Sequence, residues 1–406
     1  ASIGILFMSV NILVDTIFVG QWIGSLAIAA VTVVLPITFL ISSLGMAIGI
    51  GGSSIISIAL GARDKEKAMQ TFGNQIMMTL SLALLFVIVG FIYDDEILLL
   101  FGANGEIMQP AKEFFLPVLV GVPFLALCMM GNNVIRAEGK AKFAMMAMII
   151  PAFGNIFLDI IFIKFLNMGM FGAALATTLS YFMCFLFILW FFVKKSELKP
   201  SLHHFTFVSS IVKEISSLGL VTFSRQGVVS ILAIIINHTL FTYGGEHSVV
   251  IYGIISRMLM FALFPILGIT HGFLPIAGYN YGAEKYNRVK ETIAISIKYS
   301  ALLATFIFLL ILIFAKPIVS VFTTDVAVIE ATPNALRWVF AATPIIALQL
   351  IGAAYFQAAG KAIPALLLTL SKQGFFLIPL VLILPNYFGI FGVWVAFPIA
   401  DVLSTI

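Results

Sequence analysis

Long apolar runs dominate the sequence and limit what the chain can fold into. Residues 77–93, 181–193 and 300–315 contain no charged side chain. A bilayer core about 30 Å thick needs about 20 apolar residues per helix. The runs do not alternate apolar and polar residues, as the strands of a transmembrane barrel do. They therefore predict membrane-spanning helices.

The composition excludes a soluble globular enzyme. Of the 406 residues, 61% are hydrophobic and only 10% are charged, whereas soluble domains have about 45–50% apolar and about 25% charged residues. Such a chain cannot cover a water-facing surface with polar side chains. The net charge of +4 is too small to indicate a nucleic-acid partner.

The apolar runs, separated by polar or Gly/Pro residues, predict twelve transmembrane helices and an all-α integral membrane protein. They cover roughly residues 1–19, 27–58, 68–93, 111–135, 142–166, 169–193, 214–243, 248–279, 291–315, 333–357, 362–385 and 389–406. Proline is common in such helices, and Pro151 is expected to kink the fifth span and free a backbone carbonyl.

The basic residues predict the orientation of the spans. Fourteen of them follow the even-numbered spans: Arg63, Lys65, Lys67, Arg136, Lys140, Lys142, Lys194, Lys195, Lys199, Lys213, Lys285, Arg288, Lys290 and Lys361. Because cytoplasmic loops are enriched in Lys and Arg, this side is predicted to face the cytoplasm. Both termini are then cytoplasmic, and we expect the protein in the cell (inner or plasma) membrane.

An internal repeat relates the two halves of the chain. Residues 139–141 recur as residues 360–362, and further landmarks match at the same offset of 221 residues: Gly61, Phe101 and Pro123 with Gly282, Phe322 and Pro344. The repeat predicts two six-helix lobes, residues 1–193 and 214–406, joined by a cytoplasmic linker at residues 194–213. With an even number of spans each, the lobes should be related by a pseudo-two-fold axis along the membrane normal and enclose a cleft.

Two acidic residues inside predicted spans are the best candidates for chemistry. A charged side chain inside the bilayer costs free energy, so each such residue requires a structural or functional explanation. Asp15 and Asp159 each follow an asparagine, Asn11 and Asn155, by four residues on the same helical face. Both carboxylates should lie about 10 Å from the outer ends of their spans. Thr177, on a span that runs in the opposite direction, should lie at the same depth. Oxygen groups at one depth could hold a proton or a small hard cation, although a purely structural role for the acids is the alternative.

The other intramembrane charges lie in the second half. Arg225, Arg257, Lys298 and Lys372 are expected to extend to the membrane surface or to pair with Asp401.

Other chemistry has little support in the sequence. The five histidines show no metal-ligand spacing, and neither a phosphate-binding loop nor a nucleophile elbow is present. Only Cys128 and Cys184 are available, each within an apolar run. We therefore expect no enzymatic activity, no cofactor and no metal site beyond Na⁺ at the acidic pair.

Five short motifs carry a family resemblance: Asn11-Ile-Leu-Val-Asp15, Leu60-Gly-Ala-Arg-Asp64, Arg136-Ala-Glu-Gly139, Asn155-Ile-Phe-Leu-Asp159 and Gly172-Ala-Ala-Leu-Ala-Thr177. Together they resemble the multidrug and toxic compound extrusion (MATE) family of antiporters, and the resemblance extends over all twelve spans. It implies an exporter of cationic, amphipathic drugs, driven by inward movement of H⁺ or Na⁺, with a V-shaped cleft between two lobes.

The resemblance also implies roles for particular residues. In the branch that this chain resembles, the cation site maps onto Asp15, Asn155, Asp159 and Thr177, with Asn132 and Asn11 as substrate-cavity residues. Another branch uses carboxylates in the second lobe, and the interiors of the seventh, tenth and eleventh spans contain none. We expect a monomer that works by alternating access. The alternative is a flippase of lipid-linked saccharides, which a cleft lined with several arginines would favour over one lined with Phe and Met.

Overall fold

The described part of the chain is helical in every regular element. The computed structural model describes residues 11, 14–15, 17–103, 105–322 and 326–405, and every regular element in these residues is helical. Ten of these helices are long and apolar enough to cross a membrane. The predicted all-α membrane fold is confirmed.

The first half contains α1 to α7. Of α1, the described helical residues are Asn11, Val14, Asp15 and 17–22, so the predicted span at residues 1–19 lies partly outside the described residues. The next helices are α2 (Ser25–Gly61), α3 (Lys65–Ile92), the short α4 (Asp94–Leu100), α5 (Met108–Ala137), α6 (Ala141–Asp159) and α7 (Gly169–Lys194).

The second half begins with α8 (Ser209–Gly282), in which two helices meet at the non-helical Gly245. The others are α9 (Tyr286–Phe322), α10 (Val326–Phe340), α11 (Ile346–Ala358), α12 (Ala362–Leu370), α13 (Ile378–Ile383), α14 (Pro385–Phe388) and α15 (Ile390–Leu403). The last of these corresponds to the twelfth predicted span and is only 14 residues long.

The described residues form two compact units. The first extends to residue 222 and includes residues 282–284, and the second comprises residues 223–281 and 285–406. Within the first unit, α2 packs on α3 and α5, and α7 packs on α5 and α6. Within the second, α10 packs on α9 and α15, and α11 packs on α12. Large apolar side chains are exposed, such as Ile88 at 56% and Phe157 at 65%, as expected of surfaces that face lipid.

The helix α8 begins five residues before the predicted seventh span. The predicted span begins only at residue 214, where the sequence carries the charged residues Lys213 and Glu214. An apolar stripe of Ile211, Ile215 and Leu218 nevertheless continues through them at helical spacing, and all three are buried. Burial of that stripe determines where the helix starts.

Hydrogen bonds fasten the segment between α7 and α8 to the helices beside it. Ser196 Oγ donates to Glu138 Oε1, and the backbone N–H of Glu197 donates to Glu138 Oε2 at 3.3 Å. Burial raises the pKa of the Glu138 carboxyl above its ordinary value. At the other end of the segment, the Val208 N–H donates to Asn74 Oδ1 at 2.9 Å.

Small residues allow α2 to approach the first turns of α8 closely. A Cβ added to Gly51 would lie 2.4 Å from the Ile215 carbonyl oxygen, and one added to Gly219 would lie 2.7 Å from the Ala47 carbonyl oxygen. Both obstacles are backbone atoms, which cannot rotate away.

We expect Gly51→Ala to lower the free energy of unfolding by about 1–3 kcal/mol, the usual cost of overpacking. The matched control is Gly253→Ala, where an added Cβ meets nothing within 4 Å. That change should raise the free energy of unfolding by up to about 1 kcal/mol, because alanine has a higher helix propensity than glycine. Melting temperatures in detergent test both, and equal behaviour of the two variants would contradict the close approach.

Candidate cation site

The helices α1 and α6 are joined through matching Asn and Asp residues. Asn11 Nδ2 donates to Asn155 Oδ1 at 2.9 Å and to the Ala152 carbonyl at 3.1 Å. One helical turn further along both helices, the carboxyl groups of Asp15 and Asp159 interact directly with each other. The structure therefore brings together the two acids that the sequence placed at one depth.

A third contact extends the pairing. After α6, the residues Ile160–Phe165 continue as a π-helix, and from it Lys164 Nζ lies 5.5 Å from the centroid of the Trp22 ring. This is within cation–π range. The order of the three contacts shows that α1 and α6 run in parallel, so equal Asn-to-Asp spacings on the two helices bring like residues together.

The acidic pair, a half-buried Asp15 and a buried Asp159, lacks hydrogen-bond donors. Asp159 is fully buried and Asn155 is 5% exposed. Among the described residues, none donates a hydrogen bond to Asp15 Oδ1 or to either oxygen of Asp159. Two unit charges 4 Å apart repel by about 4 kcal/mol at an effective dielectric constant of 20. The pair therefore favours a shared proton or a bound cation over two bare charges.

The backbone changes its winding at the site. The α-helical hydrogen bonding of α6 ends at Asp159, and the π-helix begins at the next residue. Single π-turns within helices are rare and often occur at functional sites. The wider turn follows directly on the carboxylate, a feature that the sequence did not predict.

The backbone carbonyl that Pro151 frees accepts a hydrogen bond from a neighbouring helix. Proline at position 151 cannot donate to the carbonyl of Ala147, and that oxygen accepts a hydrogen bond from Cys184 Sγ at 3.1 Å instead. The freed carbonyl is confirmed. Its partner is a buried cysteine on α7, so it fastens α6 to α7.

Thr177 is half-buried on α7 and is not hydrogen-bonded to Asp159. Its hydroxyl donates to the Ala173 carbonyl of its own helix at 3.1 Å, which leaves the oxygen lone pairs free to bind a cation. Its role at the site stays a prediction. Tyr181 lies one turn further along the same helix, close enough to Asp15 for an electrostatic interaction. It was not predicted as a site residue, although its spacing of four residues from Thr177 places both side chains on one face of α7.

The two predicted cavity residues make contacts between helices. Asn132 is 8% exposed, and its Nδ2 donates to the Ala144 carbonyl at 2.6 Å, which joins α5 to α6. Asn11 joins α1 to α6 as described above. Their contribution to a substrate cavity stays a prediction.

The second unit contains an ion pair between a half-buried lysine and a buried aspartate. Lys372 Nζ lies 2.5 Å from Asp401 Oδ1, with side chains 17% and 2% exposed. Lys372 lies on a π-helix, Ser371–Leu377, that continues α12, and Asp401 lies on α15. The expected pairing of these two residues is confirmed.

Comparisons with known proteins agree on one family. The family model MatE matches residues 1–161 and 223–383, one stretch in each repeated half. The multidrug export protein MepA of Staphylococcus haemolyticus (strain JCSC1435) is 27% identical over 392 residues, covering 96% of this chain and 86% of that protein.

Solved structures are also similar over the whole chain. A structure of the MATE multidrug transporter DinF-BH, solved as a complex, is 40% identical, with a TM-score of 0.89, and the match covers 100% of this chain and 91% of that one. A crystal structure of MATE in complex with MaD3S gives a TM-score of 0.93 at 29% identity, with the same coverage.

Proposed function

The chain belongs to the MatE family of membrane transporters, and we propose that it exports cationic, amphipathic compounds in exchange for H⁺ or Na⁺ bound at Asp15 and Asp159. The similar proteins named multidrug export protein and multidrug transporter support the drug substrates. The coupling ion is a substrate of this exchange. No cofactor takes part in it.

One observation supports the coupling site above all: two carboxyl groups on predicted membrane spans interact with each other, and three of their oxygens accept no hydrogen bond from any described residue. Carboxylate, amide and hydroxyl oxygens are ligands that hard cations prefer. A proton shared between the carboxyl groups would remove the same repulsion.

Occupancy of the site changes the packing of α1 against α6. A bound cation screens the two charges and allows the helices to stay in contact through Asp15 and Asp159. Loss of the cation restores the repulsion, and α6 can respond because its regular hydrogen bonding is already interrupted at Pro151 and at the π-turn after Asp159. Exchange requires that drug and cation favour different arrangements of these helices.

The protein acts as a monomer in the cell (inner or plasma) membrane. The excess of Lys and Arg after the even-numbered spans supports a cytoplasmic location for both termini. In that orientation, the acidic pair lies nearer to the outer ends of α1 and α6.

Drug uptake into proteoliposomes tests this function. A fluorescent cationic dye is added outside vesicles that carry either a pH gradient or a sodium gradient. We expect the dye to accumulate inside vesicles that contain the higher concentration of the coupling ion. Equal uptake with and without each gradient would contradict cation coupling.

A further inference from the structure

Glu66, His203 and His204 form a second cluster of ligating side chains, in the segment that connects α7 to α8 and at the start of α3. His204 Nε2 lies 3.1 Å from Glu66 Oε1, and His203 Nε2 lies 3.5 Å from the same oxygen. The three ligand atoms all lie within 4.8 Å of one another. We propose that this cluster binds a divalent transition-metal ion of the Zn²⁺ class.

The backbone holds the buried histidine in place. The side chain of His204 is 2% exposed, and its Nδ1 accepts a hydrogen bond from the Ser201 N–H at 2.9 Å. A Cβ on Gly73 would lie 2.2 Å from the His204 carbonyl oxygen, so the segment lies directly on α3. The Val208 N–H donates a hydrogen bond to Asn74, which lies on α3 as well. The imidazole is therefore positioned before any ion arrives.

The spacing of the ligand atoms fits a tetrahedral ion. Zn²⁺ binds imidazole nitrogen and carboxylate oxygen at about 2.0–2.2 Å, so two such ligands are separated by about 3.4 Å. The two distances from Glu66 Oε1 lie on either side of this value. Two imidazoles and one carboxylate are a common donor set of catalytic zinc sites, which keep a fourth position for water.

His204 also has the outer contacts that a metal-bound imidazole needs. When Nε2 binds an ion, the proton of the neutral ring resides on Nδ1 and requires an acceptor. Ser201 Oγ at 3.1 Å and the Ser201 carbonyl at 3.3 Å are both within reach. Without the ion, Nδ1 accepts the Ser201 N–H, and the buried Nε2 makes no hydrogen bond to any described residue. Binding of the ion would place the proton on Nδ1 and exchange the Ser201 N–H bond for a bond to the Ser201 Oγ or carbonyl oxygen.

An ion can enter from water. The side chains of Glu66 and His203 are 62% and 67% exposed. Lys67, which follows Glu66, lies 3.5 Å from Glu214, so part of the nearby positive charge is already paired. Once bound, the ion would join the connecting segment to the first turn of α3.

Metal titration of the purified protein tests the site. The full chain, freed of any histidine tag, is titrated in detergent with Zn²⁺ by calorimetry and with Co²⁺ by visible absorption. We expect one ion per chain and a rise in melting temperature, because the ion binds the folded state. Glu66→Gln and His203→Gln alter exposed side chains and should each weaken binding by at least about tenfold.

His247→Gln serves as the control, since His247 is exposed and lies outside the cluster. It should bind the ion as tightly as the unaltered protein. Binding that is unchanged in both cluster variants, or no binding of one ion per chain, would overturn the proposal. This result is independent of drug export, because it measures the ion alone.

Discussion

Replacing Asp159 by asparagine is expected to abolish cation-driven drug transport and leave the fold intact. The change preserves the volume of the side chain and removes one of the two charges that need a cation. It removes no donated hydrogen bond, because neither oxygen of Asp159 accepts one from a described residue. Dye uptake into proteoliposomes should fall to the level of protein-free vesicles, and Asp15→Asn should have the same effect.

The two acids should behave as one functional group. The double variant with both Asp15→Asn and Asp159→Asn should transport no worse than either single variant, because residues that act as a unit are not additive. Glu106→Gln is the control, since it removes an exposed carboxylate of the same unit. Undiminished drug resistance in cells that carry either single change would contradict the assignment.

Breaking the Lys372–Asp401 ion pair is expected to destabilise the second unit strongly. Asp401→Asn leaves the ammonium of Lys372 without its buried counter-charge, and removal of one partner of such a pair typically costs about 3–5 kcal/mol. The melting temperature in detergent should fall clearly. Lys372→Met should have a similar effect, because it leaves the Asp401 carboxylate alone.

The double variant of Lys372→Met with Asp401→Asn should recover much of this loss, since a neutral pair has no charge to bury. The control is Glu330→Gln, whose partner Lys316 lies 3.7 Å away on the surface, with both side chains more than 60% exposed. Surface pairs contribute little, so this variant should melt as the unaltered protein does. Losses that simply add in the double variant would contradict a direct interaction between Lys372 and Asp401.

The parts of the fold that depend on local patterns were predictable from the sequence. Membrane spans follow from apolar runs, because no water is available to the backbone inside the bilayer. The depth of Asp15 and Asp159 follows from the rise of a helix. The freed carbonyl before Pro151 follows from the missing proline N–H, although its partner Cys184 does not.

Features that depend on contacts between distant segments were not predictable. The interaction of Asp15 with Asp159 requires that α1 packs beside α6. The sequence of neither helix alone predicts which helix it packs against. The π-turn after Asp159 has no sequence signal of its own. Glu66 and His203 are separated by more than a hundred residues, so no ligand spacing along the chain could reveal their cluster.

The most direct test of the acidic pair is the affinity of the purified protein for drug at different proton and sodium concentrations. Exchange requires that the coupling ion weaken drug binding, typically by about 5–150-fold for a coupling free energy of about 1–3 kcal/mol. We expect the Kd of a fluorescent cationic drug to rise as the coupling ion saturates the protein. In Asp159→Asn, the Kd should no longer respond to the ion. A drug Kd in the unaltered protein that is independent of both pH and sodium would contradict the proposed exchange.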